Sequence, residues 1–244
     1  MKKAVEYLLI FIAIQFVSMT LANGVIMLKG QIVSEHLAET AIGMSLATFI
    51  LVIAVYSVWF RSVSFNTEYI KKRPAFQILL CIVLAFATIP PFVYIQNFLH
   101  GVTNNNELLF KGLMESPMGF LSLVVVGPVT EEIVFRGAIL GALKKSYRNK
   151  WIAILFSALF FAIIHFNPAQ LLHAFLSGML LGWICIKTKS IVPCVLIHII
   201  NNGTVFLFIK YLPEVSLSSA PLVITSAVLI IISLWGIVKV TARQ

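Results

Sequence analysis

Aspartate is absent from this 244-residue chain, and all nine of its acidic residues are glutamate. Aspartyl-protease chemistry, which needs paired aspartates, is excluded, and so are nucleotide and metal sites built on Asp. Charge of either sign is scarce. Eighteen Lys and Arg plus nine Glu make 11% of the residues, where a soluble domain carries about a quarter. So few charges cannot wet the surface of a globule this size, which rules out an ordinary cytosolic enzyme. Cysteine is limited to Cys81, Cys185 and Cys194, an odd number, in apolar runs and without a CxxC. A disulfide framework or zinc ribbon is not expected, and packed, buried thiols are. HExxH and GxSxG are missing, which argues against zincins and serine hydrolases.

What the chain has in abundance is apolar surface: 60% hydrophobic residues and a mean hydropathy of +1.00. This excludes disorder and predicts a polytopic membrane protein. The net charge of +9 would suggest nucleic acid in a soluble protein, but its distribution points to the bilayer instead. Apolar stretches fall at 5–28, 40–60, 76–98, 117–142, 151–166, 170–186, 190–209 and 219–238. A helix needs about 20 residues to cross a hydrocarbon core of about 30 Å. The expected fold is therefore an all-α, eight-span transmembrane bundle. The fifth and sixth stretches are short, and a tight reversal is expected between them at Asn167-Pro168, because proline disfavours helix in the residue before it.

The basic residues set an orientation. Lys2 and Lys3, then Arg61, Lys71, Lys72 and Arg73, then Lys144, Lys145, Arg148 and Lys150, then Lys187 and Lys189, and finally Lys239 and Arg243 occupy alternate segments, 14 of the 18 in all. The intervening segments hold Lys29, Lys111 and Lys210. The positive-inside rule then places both termini in the cytoplasm. The start Met1-Lys2-Lys3 reads as the head of a retained helix, since the apolar run after it is longer than a signal h-region. One domain is expected: residues 1–116 hold spans one to three, 117–210 spans four to seven and 219–238 the last. The loop around 99–116 is too short to fold by itself.

Arg136 is the remaining basic residue, and it lies inside span four with Glu131 and Glu132. Each ionisable group at a span centre costs about 2.5–3.5 kcal/mol on insertion scales, so three in six residues need a reason. Glu132 and Arg136, at i and i+4, can pair on one helix face. Glu131 is about 100° away and left free. His165 ends span five, and His198 and Asn202 share a face of span seven. At about 1.5 Å per residue from the nearest cytoplasmic lysine, Glu131, His165 and Asn202 lie about 20 Å deep and His198 about 14 Å. A layer of Glu, His, His and Asn suits water activation. A carboxylate in an apolar pocket can act as general base, while histidines hold the water, stabilise an oxyanion or bind a metal, and Asn202 donates to the same oxygen. His173 has no motif partner and reads as a pocket-rim or structural residue; His36 and His100 read as solvated. Gly178 and Gly182, with Gly137 and Gly141, form small-xxx-small pairs expected to bring spans six and four together. Gly127-Pro128 is expected to kink or restart span four, which would place Glu131 and Glu132 in a first helical turn.

In order along the chain stand Glu131-Glu132-x-x-x-Arg136, Phe161-x-x-x-His165, Phe175-x-x-Gly178-x-x-x-Gly182 and His198-x-x-x-Asn202. This set resembles the CPBP family of intramembrane proteases, which includes the type II CAAX prenyl endopeptidases and the bacterial Abi proteins. The resemblance covers 128–203. It implies peptide-bond hydrolysis within the bilayer, with Glu131 activating water, His165 and His198 as essential partners, Asn202 at the oxyanion and Glu132 and Arg136 in support. Both a metalloprotease scheme, in which His165 and His198 would hold a divalent ion such as zinc, and a metal-free scheme are compatible with these residues. A peptide or membrane-anchored protein is the implied substrate. A non-catalytic immunity or regulatory protein acting by partner binding is the alternative, and a proton-relay transporter a third reading.

Overall fold

The computed structural model describes residues 1–59, 75–97, 107–212 and 216–242. Among these, every regular element is helical. The helices are α1 (Lys2–Leu28), α2 (Leu37–Trp59), α3 (Ala75–Asn97), α4 (Glu107–Glu115), α5 (Pro117–Ser146), α6 (Lys150–Ile163), α7 (Pro168–Thr188), α8 (Val192–Tyr211) and α9 (Ala220–Ala242). Seven of them, all but α4 and α6, are long and apolar enough to cross a membrane. The chain is a multi-pass membrane protein with an all-α bundle.

All eight apolar stretches are helical, but the fifth does not make a span. Its helix, α6, stops at Ile163 after 14 residues, a reach of about 21 Å. Ile164 and His165 turn, Phe166 takes a positive φ of 48°, and α7 starts at Pro168. The reversal expected at Asn167-Pro168 is thus present, but it begins three residues earlier, at Ile164. A second departure is α4, a nine-residue helix inside the segment expected to be loop. Arg61, Lys71, Lys72, Arg73, His100 and Arg243 lie outside the described residues.

Helix α5 stands at the centre, touching α1, α2, α6, α7 and α8. One core cluster gathers Phe11 and Ile14 of α1, Val52 of α2, Ile133 to Leu143 of α5 and Ile154 and Phe161 of α6. A second joins Leu80 to Ala85 of α3, Leu181 and Ile184 of α7, Cys194 and Ile197 of α8 and Ile237 of α9.

Gly178 and Gly182 do bring backbones together, but against α6 rather than α5. A Cβ on Gly178 would stand 3.0 Å from both Cα and Cβ of Ala158, and one on Gly182 would stand 3.2 Å from Ile154. Gly141 meets nothing within 4 Å. The glycines face the hairpin partner because α6 and α7 are joined by a short turn and lie side by side. Gly178→Val is expected to cost about 1–3 kcal/mol by overpacking. Thermal unfolding in detergent micelles would show a clear drop in midpoint, and an unchanged midpoint would mean that α6 and α7 are not in this contact.

Candidate active site

Helix α5 is unusual in its backbone. It runs without a break from Pro117 to Ser146, with two π-helical stretches, Ser122–Val126 and Ile133–Ile139, bracketing Gly127–Glu132. The expected restart at Gly127-Pro128 does not occur, and Glu131 and Glu132 are not in a first turn. The hydrogen-bond register explains how the proline is accommodated. Gly127 N–H donates to Ser122 O, five residues back. The next donor in that register, for Leu123 O, would be Pro128, which has no N–H. Asn202 of α8 fills the gap, donating from Nδ2 to Leu123 O at 3.0 Å. Thr130 Oγ1 bonds back to Val126 O at 2.6 Å, and Ser157 of α6 donates to Phe135 O at 3.2 Å. Wide turns of this kind re-aim side chains and occur often at functional sites.

Between the two π stretches lies the ionisable cluster. Glu132 Oε1 is 3.0 Å from Arg136 Nη1, and both side chains are out of contact with solvent. The i,i+4 pair expected from the sequence is present. The same Oε1 accepts from His198 Nδ1 at 2.9 Å, a contact across 66 residues that local spacing does not reveal. Arg136 also reaches Gly178 O on α7 through Nη2 at 3.5 Å, and its guanidinium lies 4.4 Å over the Phe161 ring. Glu132 is thus the buried hub tying α5 to α8, with Arg136 tying α5 to α6 and α7.

Glu131 is differently placed. Its side chain is 24% exposed, and Oε2 stands 3.8 Å from His198 Nε2, too far for a direct hydrogen bond. His198 is thus flanked by the two glutamates, bonded to the buried one and spaced from the open one. Because an ionised Glu132 can only accept, His198 Nδ1 carries the proton, and in the neutral ring the Nε2 facing Glu131 carries the lone pair. His165 bonds from Nδ1 to Phe161 O at 2.8 Å, which leaves its Nε2 for other work. The rings of His165 and His198 stand edge-on to Phe161, at 4.9 and 6.0 Å between centroids.

The predicted residues are therefore gathered from two helices, α5 and α8, and the turn after α6, but not into a single hydrogen-bonded set. Glu132 contacts both Arg136 and His198, Glu131 stands opposite His198, His165 joins them through Phe161, and Asn202 bonds the α5 backbone. Two participants were missed. Asn201, buried beside Asn202, pairs with Thr88 of α3 at 3.4 Å, and Ser157 supports the second π stretch; neither stands out in sequence from other polar residues in spans. His173 packs edge-on to Phe92 of α3 at 4.8 Å. His36, expected to be solvated, forms an exposed ion pair with Glu39 one turn on.

Asn202 gives a sharp prediction. Asn202→Leu leaves Leu123 O without a donor, at an expected cost of about 1–3 kcal/mol. The loss should shrink when Pro128→Ala restores a backbone N–H. A double-mutant cycle by thermal unfolding measures this, and strictly additive losses would contradict the assignment.

A divalent metal can be tested against the donors. Among the described residues, no three His, Cys, Asp or Glu side chains come together as a metal-binding group. A catalytic zinc requires three converging protein ligands; Glu131 faces His198, but no third such side chain is grouped with them among the described residues. The residues do not fit such an ion.

The likeness to known proteins falls on the same part of the chain. Residues 106–204 match the family model described as type II CAAX prenyl endopeptidase Rce1-like. The chain is similar to the putative membrane peptidase YdiL of Bacillus subtilis (strain 168), with 28% identity over 111 residues, 44% of this chain and 45% of that protein. It is also similar to the membrane-embedded CAAX protease MroQ of Staphylococcus aureus (strain USA300), with 29% identity over 118 residues, 46% of this chain and 48% of that protein. The chain thus matches these relatives over about half their length. No solved structure matches.

Proposed function

We propose, for a chain whose residues 106–204 match the Rce1-like family model, that it is a CPBP-type intramembrane endopeptidase using Glu131 to activate water. The observation that carries the reading is the division between the two glutamates: Glu132 is sealed in a pair with Arg136, while Glu131 remains open opposite His198 Nε2.

The 3.8 Å gap has the dimensions of a water site. A water at about 2.8 Å from each acceptor subtends an angle of roughly 85°, near the spread of its own two O–H bonds. It donates one hydrogen to Glu131 Oε2 and the other to His198 Nε2, which leaves an oxygen lone pair for a peptide carbonyl. As that oxygen attacks, Glu131 takes the proton, and the protonated carboxyl then delivers it to the leaving amide nitrogen. Glu132, neutralised by Arg136, fixes the tautomer and orientation of His198. The second N–H of the Asn202 amide would stabilise the oxyanion of the tetrahedral intermediate, and His165, whose Nδ1–H is given to Phe161 O, could donate from Nε2 only as the imidazolium. No step passes through a metal. The substrate is a peptide or membrane-anchored protein, with CAAX-type or peptide processing as the activity that the relatives' names suggest.

The test is membrane proteomics of cells carrying the wild-type protein, Glu131→Gln or His198→Ala. One and the same precursor accumulating in both variants supports the reading and supplies the substrate. Full complementation of a deletion by both variants would make the polar cluster structural.

A further inference from the structure

Two of the three thiols lie directly beneath this cluster and have no part in the reaction above. Cys185 is on α7 and Cys194 on α8. Cys194 Sγ donates to Leu181 O of α7 at 3.2 Å, one helical turn before Cys185, so its thiol lies against α7. Leu181 O is the carbonyl that the Cys185 N–H faces in helix α7, so Cys194 Sγ lies beside Cys185. Cys185 Sγ also faces the backbone carbonyl of Arg136 at 4.0 Å. On α8, Cys194, His198 and Asn202 follow at intervals of four and share one face. Cys194 is fully buried, whereas Cys185 is partly exposed. Cys185 is two residues from Lys187 and Cys194 five from Lys189, so the pair sits near the basic end of the two helices.

We infer that Cys185 and Cys194 are an oxidisable thiol pair, converted by a hydroperoxide into a disulfide that staples α7 to α8 and switches the site off. The more accessible Cys185 sulfur attacks the peroxide, the O–O bond breaks, water (or the alcohol, from an organic hydroperoxide) leaves and a sulfenic acid remains. Cys194 sulfur then attacks the sulfenic sulfur, expelling water as the S–S bond forms. Two thiols are oxidised by two electrons, and one hydroperoxide is reduced. A small dithiol reverses the change by exchange. The consequence for the site is geometric. The covalent link fixes α8 to α7 one turn below His198, whose 2.9 Å bond to Glu132 ties the same helix to α5. Loss of hydrolysis on oxidation rests on the proposed endopeptidase reading; formation of the disulfide does not.

The experiment uses the full-length protein in lipid nanodiscs, treated with hydrogen peroxide and quenched. The expected result is a mass loss of about 2 Da, two fewer alkylatable thiols, and a peptide linking positions 185 and 194. Cleavage of a membrane peptide should fall at least tenfold and return with dithiothreitol. Cys185→Ser and Cys194→Ala should each cleave normally and resist peroxide, whereas Cys81→Ala should remain sensitive. Oxygen addition without a crosslink, a link through Cys81, or unchanged cleavage by the crosslinked protein would each overturn the inference. A crosslink that forms in a protein showing no hydrolysis even when reduced would overturn the switch while leaving the thiol pairing intact, and it would place the failure in the endopeptidase reading.

Discussion

Arg136→Met is expected to destabilise the bundle by about 3–5 kcal/mol, the usual consequence of leaving one partner of a buried ion pair behind. Both side chains of the pair lie out of contact with solvent, so water cannot take over when the guanidinium is removed. Glu132 Oε2 already makes no hydrogen bond, and the carboxylate is held through Oε1 alone. Losing Arg136 also removes the contacts to Gly178 O and the Phe161 ring, which loosens α6 and α7 together. Neutralising both members should do far less harm, because Glu132→Gln removes the stranded charge. Denaturation of the single and double variants in micelles separates these cases. A double variant as unstable as Arg136→Met alone would show that packing around Arg136, and not the buried charge, sets the cost.

Glu131→Gln should behave in the opposite way, abolishing cleavage while leaving the melting transition where it was. The side chain is part-exposed, and its near neighbour His198 is beyond hydrogen-bond range, so an amide of the same shape disturbs little. What it cannot do is take a proton from water. General-base catalysis is worth about 10²–10⁴ in rate, and a loss of that size at unchanged stability identifies a chemical role. His198→Ala should lose both, since its Nδ1 bond to Glu132 also ties α8 to α5. A Glu131→Gln protein that melts early would instead place Glu131 among the structural residues.

Much of this arrangement was legible in the chain. Composition and span length gave the all-α membrane bundle, because a helix in lipid must satisfy its own backbone and so needs a long apolar run. The Glu132–Arg136 pair follows from a four-residue spacing, whereas counting residues inward from the lysines put Glu131, His165 and Asn202 about 20 Å deep and His198 only about 14 Å. What stayed hidden was whatever depends on a neighbour. The bond from His198 to Glu132 joins residues 66 apart, and a depth estimate cannot say which of two adjacent glutamates receives it. The proline rule anticipated a break at Pro128, but a π stretch shifted the register and Asn202 supplied the missing donor. Hydropathy ran through Ile164 and Phe166 into a turn because that turn lies within the bundle. The facing of Gly178 and Gly182 toward α6 was fixed by the hairpin, which spacing within one helix does not reveal.

The central claim is that water held between Glu131 and His198 cuts a peptide bond. The most direct measurement is cleavage of a membrane-embedded peptide by the purified protein in ¹⁸O-labelled water, comparing wild type with Glu131→Gln and reading the new C-terminus by mass spectrometry. The account predicts that wild type places one labelled oxygen in the new carboxylate and that Glu131→Gln yields no cleaved product. Cleavage by Glu131→Gln at the wild-type rate, with or without label, would contradict it.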